Sequence, residues 1–179
     1  MVLIQDGDHR AFENIYERYA HRLNGFFYKM LWSDQEMAQD HVHDLFAKII
    51  DRPELYKQAY DVKPWLFRIA ANMCKNAYRK RSFENAYREQ LEEHQITTPS
   101  IERKIDENIQ SDMLYKALDQ LDEDRKTMFL LRYQQDLSLK EIAVIFDLPV
   151  GTVKSRIFYI KKLLTGAIED DQKIVKDGK

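Results

Sequence analysis

A single cysteine, Cys74, stands among 179 residues, so no disulfide can close within the chain and a reducing compartment is expected. Long apolar runs are missing too. No window approaches the roughly 20 apolar residues of a membrane span, and Met1 to Arg10 hold no stretch of signal-peptide length. These absences predict a cytoplasmic chain with no direct membrane insertion. Net charge is small: 28 basic residues against 30 acidic ones leave −2, which selects no partner. Strand-type alternation is almost absent. The sequence also lacks a Gly-rich phosphate loop, a nucleophile elbow and zinc-ligand spacing. No catalytic constellation is visible, and neither a cofactor nor a metal is expected. Asp40-x-x-His43 has the spacing of a carboxylate–histidine metal pair, but a bundle site needs a second copy and none occurs. His41 and His43 point to different faces of a helix, which argues against shared ligation.

What the chain does have is helical periodicity and enough apolar residues, 44% with 12% aromatic, to bury a core. Phe12, Ile15, Tyr16, Tyr19, Leu23, Phe26, Phe27 and Met30 recur on one helical face. Ser33-Asp34 can cap a second helix reaching about Ile50, with Val42, Leu45, Phe46 and Ile49 on its apolar side. Pro53 breaks the chain, and Pro64 suits the first turn of a third helix. That helix carries Trp65, Leu66, Ile69, Ala70, Met73 and Ala77 and is expected to end among Arg79, Lys80 and Arg81. Phe83 to Asn108 holds seven acids against three bases, with turn chemistry at Thr97-Thr98-Pro99-Ser100. Beyond it, Met113, Leu114, Ala117, Leu118 and Leu121 form one stripe, and Asp122 can cap a helix bearing Met128, Phe129, Leu131 and Arg132. The expected fold class is all-α. A helical domain over 1–83 and a second over 109–168 are joined by an acidic linker over 84–108, and a polar tail over 169–179 is expected to fray.

The distribution of charge is more informative than its sum. Val62 to Arg81 contains six cations and no carboxylate, and Leu148 to Ile168 contains four, again with none. Two such segments in an acidic chain imply two contacts with a polyanion. The second lies in a recognisable setting. Ser138-Leu139-Lys140-Glu141 has capping-box spacing and opens a short helix with Ile142, Ala143 and Phe146 inward. Ala143 is small where a crossing helix must come close. Asp147-Leu148-Pro149 makes the turn, since aspartate tolerates the left-handed conformation. A new helix from about Gly151 to Leu164 turns Val153, Ile157, Ile160 and Leu164 inward. Thr152, Lys154, Ser155, Arg156 and Tyr159 stay on its outer face near the N-terminal end. This is how a helix-turn-helix presents polar and cationic groups to the major groove of double-stranded DNA. An ordinary helical hairpin with a solvated basic face would share only part of this combination.

Leu137-Ser-Leu-Lys-Glu-Ile-Ala, followed by Leu148-Pro-Val-Gly-Thr-Val-Lys-Ser-Arg-Ile, closely resembles domain 4 of bacterial sigma factors, most of all the extracytoplasmic-function group. Asp40-His-Val-His-Asp-Leu-Phe-Ala-Lys-Ile resembles the core-polymerase-binding helix of sigma domain 2. The run from Pro64 to Arg81 resembles its promoter-melting helix. The resemblance implies a non-enzymatic factor that binds core RNA polymerase and promoter DNA, with an anti-sigma factor as a further partner. It assigns Lys140, Thr152, Lys154, Ser155, Arg156, Tyr159 and Lys161 to the −35 element. Lys63, Arg68, Asn72, Lys75, Asn76, Arg79 and Arg81 would face the −10 element. Asp40, Asp44, Leu45, Phe46 and Ile49 would lie on the core-binding helix, although burial would explain the three apolar ones equally well. Asn76 stands where the family usually has aspartate, and Asp147 where glycine is common. No insert corresponding to domain 3 occurs, so the acidic linker would follow a basic channel of polymerase.

Two readings from other classes share parts of this pattern. A stand-alone regulator binding DNA as a dimer would need the helix-turn-helix but not the basic helix behind Pro64. A protein using its first domain only to hold polymerase would need neither basic segment.

Overall fold

The computed structural model describes residues 1–57, 61–91 and 109–177, and over these it is helical. The chain divides into two compact units, Met1–Ile101 and Glu102–Lys179. The turn expected at Thr97 to Ser100 and most of the acidic linker lie outside the described residues.

The first unit opens with a single turn, α1 (Val2–Gln5), which sequence periodicity does not announce. Asp8 then caps α2 (His9–Met30), accepting from the amides of Arg10 and Ala11. Asp34 caps α3 (Gln35–Asp51) through the Met37 amide. A 3-10 turn at Pro53–Leu55 follows, held by the Gln5 amide group, whose Nε2 donates to the Pro53 carbonyl at 2.8 Å. The last helix, α4, spans Val62–Leu91. It does not stop among Arg79 to Arg81 as expected, because nothing from Ser82 to Leu91 breaks a helix and glutamate, alanine and arginine favour one.

The three long helices bury only part of the faces that their periodicity selects: Phe12, Ile15 and Tyr19 of α2 and Trp65, Ile69, Met73 and Ala77 of α4 are half-buried, and Tyr16 is exposed. Leu23, Phe26, Phe27 and Met30 of α2 meet Val42, Leu45, Phe46 and Ile49 of α3 and Leu66, Phe67, Ala70 and Cys74 of α4, all buried. Aromatic edges do much of the packing: Phe26 meets Phe67 at 5.6 Å and Phe12 meets Phe46 at 5.8 Å between centroids, both edge to face. Cys74 is a buried packing residue.

The turn between α2 and α3 is the strained part of this unit. Trp32 and Ser33 have φ of 55° and 58°, which costs a residue with a Cβ about 1–2 kcal/mol. The Trp32 ring lies between two side chains of α4. Tyr78 is 5.0 Å away between centroids, and the Arg81 guanidinium sits 4.0 Å over the ring. The Tyr78 hydroxyl donates to the Met30 carbonyl at 2.6 Å, which ties the same helix to the end of α2.

The second unit is built from α5 (Ile109–Asp119), α6 (Glu123–Tyr133), α7 (Leu139–Phe146) and α8 (Val150–Asp177). Asp122 caps α6 by accepting from the Arg125 amide at 2.9 Å. Lys126 is nearly enclosed, and its ammonium reaches Asp119 Oδ1 at 2.8 Å, joining α6 to the end of α5. Arg132 closes the other end of α6 by donating to the Leu137 carbonyl at 2.8 Å, which fixes the chain where α7 begins. Met128, Leu131, Leu137, Ile142, Val153 and Ile160 form the core. The polar tail from Glu169 is helical to Asp177.

Candidate nucleic-acid interface

In the second unit, the loop-helix-turn-helix from Leu137 to Leu164 is set by hydrogen bonds that the sequence spells out. Both capping-box bonds are made: Ser138 Oγ accepts from the Glu141 amide at 3.2 Å, and Glu141 Oε2 accepts from the Ser138 amide at 2.6 Å. At the other end of α7, Asp147 adopts φ 52°, ψ 50°, the left-handed cap, and its amide donates to the Ala143 carbonyl. The Leu148 amide reaches that same carbonyl at 3.0 Å, so the chain reverses within three residues. Pro149 then accepts from the amides of Thr152 and Val153 at 2.9 and 3.1 Å, which starts α8.

Ala143 is buried beneath the crossing, and Val153, Ile157, Ile160 and Leu164 form the buried stripe of α8. With that stripe fixed, the outer face follows from the helical period. Lys154, Ser155, Arg156, Tyr159 and Lys161 are exposed, and Thr152 is half-buried. Lys140, at the start of α7, is exposed as well. The Ser155 hydroxyl donates to the Thr152 carbonyl at 2.9 Å, a weak internal bond that a stronger acceptor can replace. Sequence reasoning missed one member of this face. Phe158 is 64% exposed beside Tyr159, 62% exposed, with the rings edge to face at 5.6 Å. Its signal was its phase, four residues after Lys154 and off the stripe of Val153, Ile157, Ile160 and Leu164.

In the first unit, α4 separates the basic run into two sides. Arg68, Asn72, Lys75, Asn76 and Arg79 are exposed and recur every three or four residues, which puts them on one stripe. Lys63 and Arg81 lie on the opposite, packed side. Lys63 is half-buried, and Arg81 is the cation over Trp32. Trp65 is also half-buried, edge to face with Tyr56 at 5.2 Å.

On α3, Asp40 and Asp44 are exposed one turn apart, together with His43, Ala47 and Ile50. Leu45, Phe46 and Ile49 point the other way and are buried in the domain's own core. His41 packs its ring on Phe27 at 5.4 Å and shares a hydrogen bond with the Met37 carbonyl, so the two histidines of this helix do not converge. Among the described residues no group of His, Cys, Asp or Glu is arranged to hold a metal ion, and no helix is long and apolar enough to cross a membrane.

Comparison with known proteins places both units. Residues 15–84 match the family model for sigma-70 region 2, and residues 111–164 match that for sigma-70 region 4. The chain is 30% identical over 175 residues to the RNA polymerase sigma-H factor of Pseudomonas aeruginosa, covering 93% of this chain and 90% of that protein. It is 29% identical, again over 175 residues, to the ECF RNA polymerase sigma-E factor of Haemophilus influenzae, covering 93% and 92%. The sigma factor RpoE of Bartonella quintana, solved with the anti-sigma factor NepR, has the same fold with a TM-score of 0.71. It is 22% identical, and the match covers 89% of this chain and 98% of that one. CnrH, solved with the cytosolic domain of CnrY, matches with a TM-score of 0.69 at 21% identity, covering 95% of each chain.

Proposed function

Because the chain belongs to the extracytoplasmic-function group of the sigma-70 family, and is thus a non-enzymatic factor with which RNA polymerase recognises promoters and starts transcription, we propose that it divides this task among three helix faces. The N-terminal half of α8 enters the major groove at the −35 element. Thr152, Lys154, Ser155, Arg156 and Tyr159 reach bases or phosphates there, and Lys140 and Lys161 hold the flanking backbone. Phe158 joins them as an apolar contact of the kind a thymine methyl offers. The exposed stripe of α4, Arg68, Asn72, Lys75, Asn76 and Arg79, follows the −10 element, with cations on phosphates and amides toward bases. Arg81 serves it from the packed side, by fixing the helix on Trp32, and Lys63 lies on that side too. The outer face of α3 docks on core polymerase through Asp40 and Asp44, while Leu45, Phe46 and Ile49 hold that face in place from inside.

One observation carries this reading: each of the two compact units presents a cationic helix face free of carboxylates, as two simultaneous contacts with DNA require. The working boundaries are residues 1–83 for core and −10 binding, 84–108 for the linker, 109–168 for −35 binding and 169–179 for the tail. The helix to Leu91 means that the linker begins as a continuation of α4. The cytoplasm, where RNA polymerase works, is the proposed location. A relative of the same fold, RpoE of Bartonella quintana, was solved with the anti-sigma factor NepR, and a partner of that kind is proposed here too.

The test is a separation of functions. Arg156→Ala should weaken −35-dependent transcription at least several-fold while pull-down of core polymerase is unchanged. Asp40→Ala with Asp44→Ala should weaken the pull-down itself. Loss of core binding on Arg156→Ala, or none on the aspartate pair, contradicts the division.

A further inference from the structure

The cationic stripe of α4 does not end at Arg79. Continuing its spacing of four residues leads to Phe83 and then Tyr87, and both rings stand in solvent, 69% and 66% exposed. From Arg68 to Tyr87 the stripe is ~28 Å long at the α-helical rise. Its flanks carry balanced charge: Lys80 lies one turn before Phe83 and pairs at 3.8 Å with Glu84, the carboxylate one turn before Tyr87, while Arg88 is exposed on the side of Arg81. Asn85 and Ser82 are exposed and polar. Large aromatic rings bury readily, and this unit buries Phe26, Phe27 and Phe67 completely. Two rings left one turn apart at the end of a basic stripe therefore have the composition of a surface for unpaired nucleic acid, in which cations follow the backbone and aromatic faces take the bases.

We propose that Phe83 and Tyr87 form a stacking platform for unpaired promoter bases, extending the DNA-facing stripe of α4 beyond Arg79. This rests on the reading of that stripe as the −10 surface. Duplex DNA keeps its base faces covered by neighbouring pairs, so the platform engages only once strands have separated. Its contribution is to hold the open form of the promoter rather than to choose the promoter.

The experiment uses holoenzyme reconstituted from core RNA polymerase and the full chain, on a promoter fragment from which that holoenzyme initiates. The fragment is prepared fully paired and with a pre-opened bubble, with 2-aminopurine in either strand. Phe83→Ala with Tyr87→Ala should weaken binding to the pre-opened fragment by about tenfold or more and leave binding to the paired fragment nearly unchanged. Quenching of 2-aminopurine, in whichever strand the rings meet, should disappear in the same variant. Trp at both positions should restore affinity and quenching. Equal losses on paired and pre-opened DNA would overturn the proposal, as would unchanged binding to both. So would loss of core polymerase in a pull-down, which would make the rings a protein contact. Arg79→Ala separates the two levels. If it leaves promoter binding untouched, the reading of the whole stripe fails. If it weakens binding while the double alanine variant does not, only the platform fails.

Discussion

Arg79 and Arg81 sit in one basic run, yet substituting them should damage different properties. Two residues along an α-helix is a rotation of about 200°, so the side chains leave opposite sides of α4. Arg79 is exposed on the stripe, whereas the Arg81 guanidinium lies 4.0 Å over the Trp32 ring. A partly buried cation–π contact contributes about 1 kcal/mol, and the aliphatic stem of the arginine adds packing of similar size. Arg81→Ala should therefore cost the first unit about 1–2 kcal/mol. With the urea dependence usual for a small domain, the midpoint falls by about 0.5–1 M. Both tryptophans, Trp32 and Trp65, lie in the first unit, so tryptophan fluorescence follows its unfolding without contribution from the second. Arg81→Lys should recover only part of the loss, because an ammonium lacks the planar guanidinium that stacks on the ring. Arg79→Ala should leave the midpoint nearly unchanged. It should instead weaken promoter binding by holoenzyme and lower the slope of log affinity against log salt by about one. If Arg81→Ala leaves the urea midpoint unchanged and flattens the salt dependence instead, the packed role assigned to Arg81 is wrong.

Three further substitutions test the local geometry. Ser33→Gly relieves a left-handed residue at φ 58° and should raise stability by about 0.5–1 kcal/mol, seen as a higher midpoint in the same fluorescence titration. Asp147→Gly relieves φ 52° at the turn of the helix-turn-helix, but aspartate tolerates this region, so the gain should be only a few tenths of a kcal/mol, roughly. Circular dichroism of thermal unfolding would register it. Ala143→Leu forces a larger side chain into the buried crossing of α7 and α8, costing about 1–3 kcal/mol. It should abolish −35-dependent binding with core binding retained, as pull-down and promoter footprinting would show.

Much of this fold was legible because helical phase is written in the apolar residues. The buried stripe of Val153, Ile157, Ile160 and Leu164 follows from spacing alone, and the caps at Asp34, Asp122, Ser138 and Asp147 are made by the residue types that local hydrogen bonding favours. Helix ends were less legible. No capping or breaking residue marks Arg81, and α4 runs on to Leu91 through residues that neither require nor forbid a helix. The single turn α1 is too short for periodicity to show. The site followed the same division. Exposure of the α8 face could be inferred from the stripe behind it. On α4 a count of cations did not distinguish Arg79 from Arg81; helical phase puts them on opposite sides, but the partner that gives Arg81 its packed role, Trp32, comes from the turn between α2 and α3 and is fixed only by tertiary packing. On α3, Leu45, Phe46 and Ile49 could have been core or contact, and only packing against α2 and α4 places them inside.

The most direct measurement is run-off transcription from a cognate promoter, mapped first by the DNA this protein occupies with polymerase in cells. Core RNA polymerase alone should give no specific transcript, and addition of the full chain should give one of defined length that disappears when either promoter element is scrambled. Tight binding of the isolated chain to duplex DNA, with no transcript on addition to core enzyme, would contradict the account and favour a stand-alone regulator.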